Sequence, residues 1–184
     1  MPELTTRSVE LEGVTPIMFD RYPGDNDTKL PPEQKFYFLN GDASLCLPAI
    51  NIYSFLGAQN TRSVAKMFGG KGYKNLAAAL CGFVAISPMR IPLTAKGKAV
   101  EFNGFDGKQF EIFVGVPRLV NGIPNPNDRP VLNPPWELSF ELTIFPNEFF
   151  KEARLRELVE LGGQALGLGT YRGVYGKFVI KRWK

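Results

Sequence analysis

The sequence predicts an α+β protein in which helices cover one face of an antiparallel sheet. Polar and apolar residues alternate near both ends of the chain and in the stretch WELSFELTIF. This period of two is typical of half-buried strands. Between them lie segments with apolar residues at three- and four-residue steps, which is the period of an amphipathic helix. Asn40-Gly41, between two short apolar runs, adds a hairpin signal. This mixture of strands, helices and tight turns is typical of α+β folds.

The first predicted strand lies in RSVELEG, where Val9 and Leu11 alternate with polar residues. Thr15-Pro16 ends its regular pairing, because proline has no N–H to donate to a ladder. Composition predicts polar loops at 20–34 and 121–130, both rich in Pro, Asn and Asp.

Helices are predicted in AINIYSFLGAQ, TRSVAKMF and KNLAAALCGF, interrupted by the glycines of 69–72. Strands are predicted at 83–86, at 98–102 and in QFEIFVGVPRLV, where every second residue from Phe110 is apolar.

The clearest strand is WELSFELTIF, which begins at Trp136, a predicted core residue. Asn147 is the predicted N-cap of the next helix, and Gly167 is its predicted end. Gly162 and Gly163 each cost about 1 kcal/mol inside a helix, which predicts close packing against the sheet. A last strand, GKFVIKRW, contains Trp183, either a sheet-edge anchor or a stacking platform.

Without the small hairpins, the order is strand, helices, strand, strand, helix, strand. This is the ferredoxin-like order, which RNA-recognition modules also use. We therefore expect residues 1–184 to form a single ferredoxin-like (RRM-like) domain with inserted hairpins and the two polar loops.

Composition limits the classes of protein and site. The chain has 184 residues, of which 44% are hydrophobic and 22% charged, as in folded proteins. No apolar run is long enough to span a membrane and the N-terminus does not resemble a signal peptide, so we expect no membrane partner and a cytoplasmic location. Cys46 and Cys81 lie in apolar runs and are expected to be buried.

The chain contains no histidine, which excludes triad hydrolases, histidine-dependent nucleases and most zinc sites. Asp25 and Asp27 supply the oxygen ligands of a cation site, but the other residues of a calcium loop are missing, and a solvated turn is the alternative. We expect no cofactor and no bound metal. Catalysis by carboxylates or lysine stays open.

The cations are concentrated in two segments without carboxylates. No acidic residue lies between Asp42 and Glu101, and none follows Glu160, although the formal net charge is only +4. The cations of these segments are Arg62, Lys66, Lys71, Lys74, Arg90, Lys96 and Lys98, then Arg172, Lys177, Lys181, Arg182 and Lys184. If folding brings the segments together, they form a positive face suited to nucleic acid. Charges scattered over the surface are the alternative.

The stretch GLGTYRGVYGKF, 167–178, places an arginine and two tyrosines among four glycines. One interpretation is a phosphate-binding turn, with contacts from its backbone N–H groups and cations and with base stacking on its tyrosines. The residues assigned to this turn are Gly169, Tyr171, Arg172, Tyr175 and Lys177. A helix C-cap and tight turn, with tyrosines packed on the core, is the other interpretation. The turn is not a Walker P-loop, because Phe178 follows Gly176-Lys177.

Further candidate contacts lie in two loops and in the first basic segment. FGGKGYKN offers Lys71, Tyr73 and Lys74 to a nucleic-acid backbone. Arg118 and Arg129 flank the loop stretch NGIPNPND, 121–128, and are placed to reach over a bound strand, like a finger. Surface loops with solvated cations are the alternative for both. Arg62 and Lys66 complete the set of candidate nucleic-acid-binding residues.

Three pieces of the sequence resemble known proteins. The strand running into GVTPIMFDR, the final helix and the glycine-rich turn resemble the repeat-associated mysterious protein (RAMP) superfamily, ferredoxin-like backbone subunits of CRISPR complexes. Uncharacterised phage-encoded proteins are more similar: they share the Thr-Pro element, a Leu-Pro-x-x-Asn-Ile element and a terminal Gly-Leu-Gly-x-x-Arg-x-x-x-Gly-x-Phe motif. In this chain the last two are matched by Leu47, Pro48, Asn51 and Ile52, and by Gly167, Leu168, Gly169, Arg172, Gly176 and Phe178.

The resemblance implies a sheet-and-glycine-loop surface that holds RNA or single-stranded DNA by its backbone, often as repeated copies along the strand. We therefore expect a non-enzymatic nucleic-acid-binding protein that forms a homo-oligomer or a filament on its ligand. The resemblance also implies that it works in a bacterial or phage-infected cell. Two other functions stay open: a structural or assembly protein of a phage or CRISPR-like complex, and a nuclease that uses carboxylates or Lys and Tyr.

Overall fold

The computed structural model describes residues 3–39, 41–115 and 126–184, and it confirms the α+β class. The strands are Thr5–Gly13 (β1), Ile17–Met18 (β2), Cys46–Pro48 (β3), Val84–Ser87 (β4), Arg90–Ala95 (β5), Lys98–Ala99 (β6), Phe110–Gly115 (β7), Asn127–Leu132 (β8), Glu137–Ile144 (β9) and Phe178–Trp183 (β10). The α-helices are Ala49–Gly57 (α1), Val64–Phe68 (α2), Tyr73–Gly82 (α3) and Glu152–Ala165 (α4). Within the described ranges no helix combines the length and the apolar character that a membrane crossing requires.

The larger sheet has the strand order β10-β1-β9-β5-β3. Its pairings are antiparallel, and the register places Val9 opposite Phe140 and Leu11 opposite Leu138. β4 also pairs with β9, next to the segment of β9 that pairs with β5, and β6 pairs with β5. The long strand β9, predicted from its alternation, is therefore at the centre of the sheet.

One side of β1 and β9 forms the core together with the helices. Val9 and Leu138 are buried with residues of all four α-helices in one cluster, and Trp136 is fully buried, as predicted. A Cβ at Gly162 would lie 2.6 Å from the ring of Phe55, and one at Gly163 would lie 2.6 Å from the carbonyl oxygen of Phe178. The predicted close packing of this part of α4 is confirmed.

A second sheet, with the order β2-β8-β7, is absent from the sequence-based expectation. β8 begins inside the segment predicted as the polar loop 121–130, so the prediction is wrong from Asn127 onwards; 121–125 lie outside the described residues. On β7, Phe110 is buried, whereas Ile112 and Val114 are exposed. The larger sheet contains β5, which was also not predicted.

Three local predictions have different outcomes. α4 begins at Glu152, not after Asn147, whose side-chain oxygen instead accepts the N–H groups of Phe149 and Phe150 in a tight turn. Cys46 is buried as expected, but Cys81 is exposed. Gly167 ends α4 as predicted: its φ is +77° and its N–H donates to the carbonyl oxygen of Gly162.

Trp183 anchors the edge of the sheet through a cluster with Arg7 and Glu152. Its indole N–H donates to Oε1 of Glu152 over 3.0 Å, and Arg7 binds both oxygens of that carboxylate, with an Nη2–Oε2 distance of 2.7 Å. The cluster therefore joins β1, the start of α4 and the end of β10.

The hydrogen bond from Arg7 lowers the pKa of Glu152 below its ordinary value; burial opposes this shift, and the Trp183 hydrogen bond adds to it. Because the folded-state pKa is depressed, this carboxylate stabilises the fold above its unfolded pKa, and the contribution is lost as the pH falls through the folded-state pKa. We expect Glu152→Gln to reduce the free energy of unfolding at pH 7. At pH values below the folded-state pKa of Glu152, the substitution should have little effect. Urea unfolding of the wild type and the variant, from pH 7 down to acid pH, measures the difference in the free energy of unfolding. The control is Glu141→Gln, which removes an exposed glutamate from β9; an equal pH dependence for both variants would contradict the assignment.

Candidate nucleic-acid interface

The three motif pieces that carry the family resemblance meet in space. The glycine-rich turn, residues 167–177, lies between the Thr15–Met18 segment and helix α1. The N–H of Thr170 donates to the carbonyl oxygen of Met18, and the N–H of Gly176 donates to that of Pro16. Asn51 of α1 accepts the N–H of Gly169 over 3.0 Å. Sequence elements far apart in the chain thus build one structural unit.

The backbone N–H groups of the turn are largely used inside the protein. Nine of them donate to protein acceptors: those of Gly167, Leu168, Gly169, Thr170, Gly173, Val174, Tyr175, Gly176 and Lys177. The expectation that they contact phosphates directly is therefore wrong for these nine donors. The role of Gly169 is conformational: its φ is +80°, and a Cβ would lie 2.5 Å from the carbonyl oxygen of Met18.

Arg172 joins the turn to α1 and to the start of the α2 region. Its guanidinium donates to the carbonyl oxygens of Gly169, Arg62 and Asn51 at 3.2–3.4 Å and to Oγ of Ser54 at 3.0 Å. All four acceptors are neutral, and none of the ion pairs among the described residues includes Arg172. Burial lowers the pKa of Arg172, but a guanidinium stays charged in proteins. Its positive charge is therefore not paired with a carboxylate in the described part of the chain.

A cleft of about 340 Å³ opens beside this guanidinium, and we call it the arginine cleft. Arg62 is exposed. Its carbonyl oxygen accepts a hydrogen bond from Arg172, which holds the backbone of Arg62 beside the cleft. None of the described residues that line the cleft has a carboxylate. They are Ser54, Thr61, Arg62, Gly169, Thr170, Tyr171 and Arg172. The Arg62 guanidinium and four hydroxyl groups, those of Ser54, Thr61, Thr170 and Tyr171, are donors of the kind that bind phosphate oxygens. Arg172 contributes mainly its charge, because four of its five N–H groups already donate inside the protein.

Tyr171 stands at the rim of the arginine cleft in an uncommon backbone conformation. Its φ is +57°, which is unfavourable for a bulky residue, and 49% of its surface is exposed. Its ring lies 6.1 Å from that of Phe113 and 6.4 Å from that of Tyr175, which in turn contacts Phe113 at 6.0 Å. The three rings form an aromatic cluster whose outer member faces solvent, where a base can stack. Residues held in strained backbone conformations concentrate at functional sites.

Arg129 lies against the face of the Tyr171 ring. Its Cζ lies 5.8 Å from the centre of the Tyr171 ring, and its Nε is 2.7 Å from Oδ2 of Asp20. The same carboxylate faces the buried Lys35 at 3.8 Å, so two cations share one anion. Nη1 of Arg129 is buried without a hydrogen-bond partner among the described residues. The prediction that Arg129 reaches over a bound strand is wrong, because the side chain is mostly buried and held by Asp20.

The other predicted residues lie in different places. Lys66 is exposed on α2, and its Nζ is 3.4 Å from the carbonyl oxygen of Gln59. Lys71 and Lys74 are exposed around the start of α3, with Tyr73 half-buried between them, and none of the three lines the arginine cleft. The backbone of Lys177 pairs with that of Val14 and Thr15. Arg118 lies outside the described residues.

The solvent side of the sheet differs from the expected binding surface. The polar side of β1 and β9 carries Thr6, Ser8, Glu10, Glu12, Glu137, Ser139, Glu141 and Thr143, and no aromatic residue. Lys181 and Arg182 of the second basic segment pair with Glu137 and Glu10 at 2.6 and 3.1 Å. RNA-recognition modules stack bases on aromatic residues of this face. Here the carboxylates make the face unfavourable for phosphate, and the glycine-rich turn is the better candidate.

The polar loop 20–34 and β8 enclose a larger cleft of about 530 Å³. Its walls mix cations and carboxylates, including Asp20, Lys35 and Asp128. Asp25 closes a turn by accepting the N–H groups of Asp27 and Thr28. This cleft has no preference for anions, so it is not the candidate interface.

The sequence pointed to Arg62, Gly169, Tyr171 and Arg172 but not to several of their neighbours. Ser54, Thr61 and Phe113 belong to no motif, and Asp20 and Thr170 stand at positions that the quoted motifs leave unspecified. Asn51 was visible in a motif, but its contact with the glycine-rich turn was not.

No model of a known protein family matches the chain, and no curated protein is significantly similar to it.

Proposed function

We propose that the protein is a non-enzymatic binding protein for single-stranded nucleic acid, RNA or DNA, and that the arginine cleft holds a backbone phosphate. One observation carries the proposal: Arg62 and Arg172, with four hydroxyl groups, line a cleft whose described walls contain no carboxylate. A ligand with repeated negative charges matches these donors, because phosphate oxygens accept hydrogen bonds from guanidinium and hydroxyl groups.

Tyr171 favours nucleic acid over a small anion. Its exposed ring adjoins the cleft, so one nucleotide can place its phosphate between the arginines and its base on the tyrosine. Base stacking tolerates any sequence, because every base has a π-face. The cluster formed by Phe113, Tyr175 and Arg129 fixes the ring in advance of binding, which reduces the entropic cost.

We infer that the larger sheet and its helices form a ferredoxin-like, RRM-like fold. The order β10-β1-β9-β5 and the succession of strand, helices, strand, strand, helix and strand support this inference. The meeting of the three motif pieces at the glycine-rich turn supports the resemblance to RAMP and phage-encoded proteins. Unlike an RNA-recognition module, the protein would bind its ligand at the turn and not on the sheet.

Assembly of copies is a second candidate function, favoured by one exposed apolar pair. Ile50 and Met89 are 66% and 63% exposed, and the N–H of Ala49 donates to the carbonyl oxygen of Met89, so the two residues lie near each other. A contact between copies at this pair would give a homo-oligomer or a filament along a bound strand. Light scattering of nucleic-acid-free protein distinguishes assembly from binding alone.

We expect the protein to bind oligothymidylate and oligouridylate at low salt, with an affinity that falls as salt rises. Each phosphate neutralised contributes about −0.7 to the slope of log K against log salt for a single strand. Fluorescence anisotropy between about 50 and about 200 mM salt measures this slope. The absence of binding to both strands at the lowest salt would rule out the proposal. An affinity that does not change with salt would contradict the phosphate contacts in the proposal.

A further inference from the structure

An aromatic groove lies on α3. The residues that form it do not line the arginine cleft. The rings of Phe83 and Phe149 stack with centres 5.8 Å apart and planes 29° apart. Together with Asn75, Ala78 and Ala79 they line an opening of about 210 Å³. We call it the phenylalanine groove.

The groove is held open by hydrogen bonds. Oδ1 of Asn147 accepts the N–H groups of Phe149 and Phe150 at 3.1 and 3.0 Å, and Nδ2 of the same side chain donates to the carbonyl oxygen of Phe145. Phe150 is buried, whereas Phe149 is 53% exposed. The N–H of Phe145 donates to the carbonyl oxygen of Phe83, which fixes the two walls relative to each other. The fold thus exposes the Phe149 ring beside that of Phe83.

Exposed charged residues flank the lining of the phenylalanine groove along the chain, and three of the four are lysines. Lys74 precedes Asn75 in the first turn of α3 and lies four residues before Ala78, which places it on the helix face that forms the groove. Lys71 is exposed in the turn before α3, and Lys151 is exposed on the other side. The exposed carboxylate of Glu148 directly precedes Phe149, and α1, α2 and α3 contain no acidic residue.

We propose that the phenylalanine groove is a second nucleotide subsite, in which a base stacks on Phe149 while Lys71 and Lys74 bind its flanking phosphates. The inference rests on the proposed function, because it assigns the groove to the same strand. An apolar wall with a cationic rim matches a base with its phosphates better than an apolar peptide. The Asn75 amide can both donate to and accept from the edge of a base.

A tryptophan at position 149 tests the contact directly. We expect oligothymidylate to quench the fluorescence of Phe149→Trp, because a stacked base quenches the indole. The matched control is Phe145→Trp: residue 145 is also exposed, at 42%, but does not line the groove. Quenching should be strong for Phe149→Trp and weak for Phe145→Trp. Equal responses would overturn the proposal.

A series of strand lengths separates this inference from the proposed function. For strands of about 4 to about 16 nucleotides, we expect Phe149→Ala to weaken binding of the longest by about tenfold and to leave the shortest, held in the arginine cleft, unchanged. Lys74→Ala should reduce the salt slope for the long strands only. Phe149→Ala with wild-type affinity at every length would overturn the subsite and leave the proposed function standing. Absence of binding by the wild type would overturn both, and a changed oligomeric mass with unchanged affinity would assign the groove to protein contacts.

Discussion

Gly176→Ala is expected to lower the free energy of unfolding by about 3 kcal/mol or more, through backbone strain and overpacking together. The φ of Gly176 is +72°, and an added Cβ would lie 2.7 Å from the carbonyl carbon of Leu168 and closer still to its oxygen. Gly176 also accepts the N–H of Leu168 and donates to Pro16, so a shift there separates the turn from the Thr15–Met18 segment. Urea unfolding followed by far-UV circular dichroism measures the loss.

Gly107→Ala is the matched control for this substitution. The φ of Gly107 is +68°, almost the same value, but no atom lies within 4 Å of the position of its Cβ. This variant therefore carries the conformational cost alone, about 1–2 kcal/mol for an L-residue in the left-handed region. Equal losses for the two variants would show that the turn relaxes around position 176 and that its packing is not tight.

The parts of the fold that the sequence predicts are those in which one residue type alternates or repeats over several turns. Strand β9 alternates over its whole length, and α4 carries a continuous apolar stripe that ends at Gly167. Strands β5 and β8 were missed because each contains a proline, Pro92 and Pro130, which is a poor strand residue. Asn147 is a good N-cap residue, but here it closes a turn of its own. The helix begins at Glu152, whose carboxylate binds Arg7 and Trp183 from distant parts of the chain.

The candidate site was predictable in its residue types but not in their roles. Charge segregation and glycine spacing identified Arg62, Tyr171 and Arg172. They did not reveal that Arg172 would bind the carbonyl groups of α1 and residue 62, or that Arg129 would be held by Asp20. These contacts join residues about a hundred positions apart, and no local pattern encodes such distances. The same limit explains why Ser54 and Thr61 were missed.

Arg62→Glu is expected to weaken binding of single-stranded nucleic acid by about 10-fold to about 100-fold at low salt, the effect of losing a charged hydrogen bond. The side chain of Arg62 is exposed and forms no ion pair among the described residues, so its replacement should not destabilise the fold. The introduced carboxylate would stand at the arginine cleft near Arg172, whose charge is uncompensated, and would neutralise the second guanidinium as well. Anisotropy titrations at several salt concentrations measure the effect, which should shrink as salt screens the charges.

Lys98→Glu separates a site effect from a change in net charge. Both substitutions alter the formal charge by two units, but Lys98 lies on β6 and does not line the arginine cleft. If a general positive field binds the nucleic acid, the two variants will lose affinity equally and the arginine cleft will have no special role. If the cleft holds a backbone phosphate, only Arg62→Glu will lose most of its affinity and reduce the salt slope by about one phosphate contact.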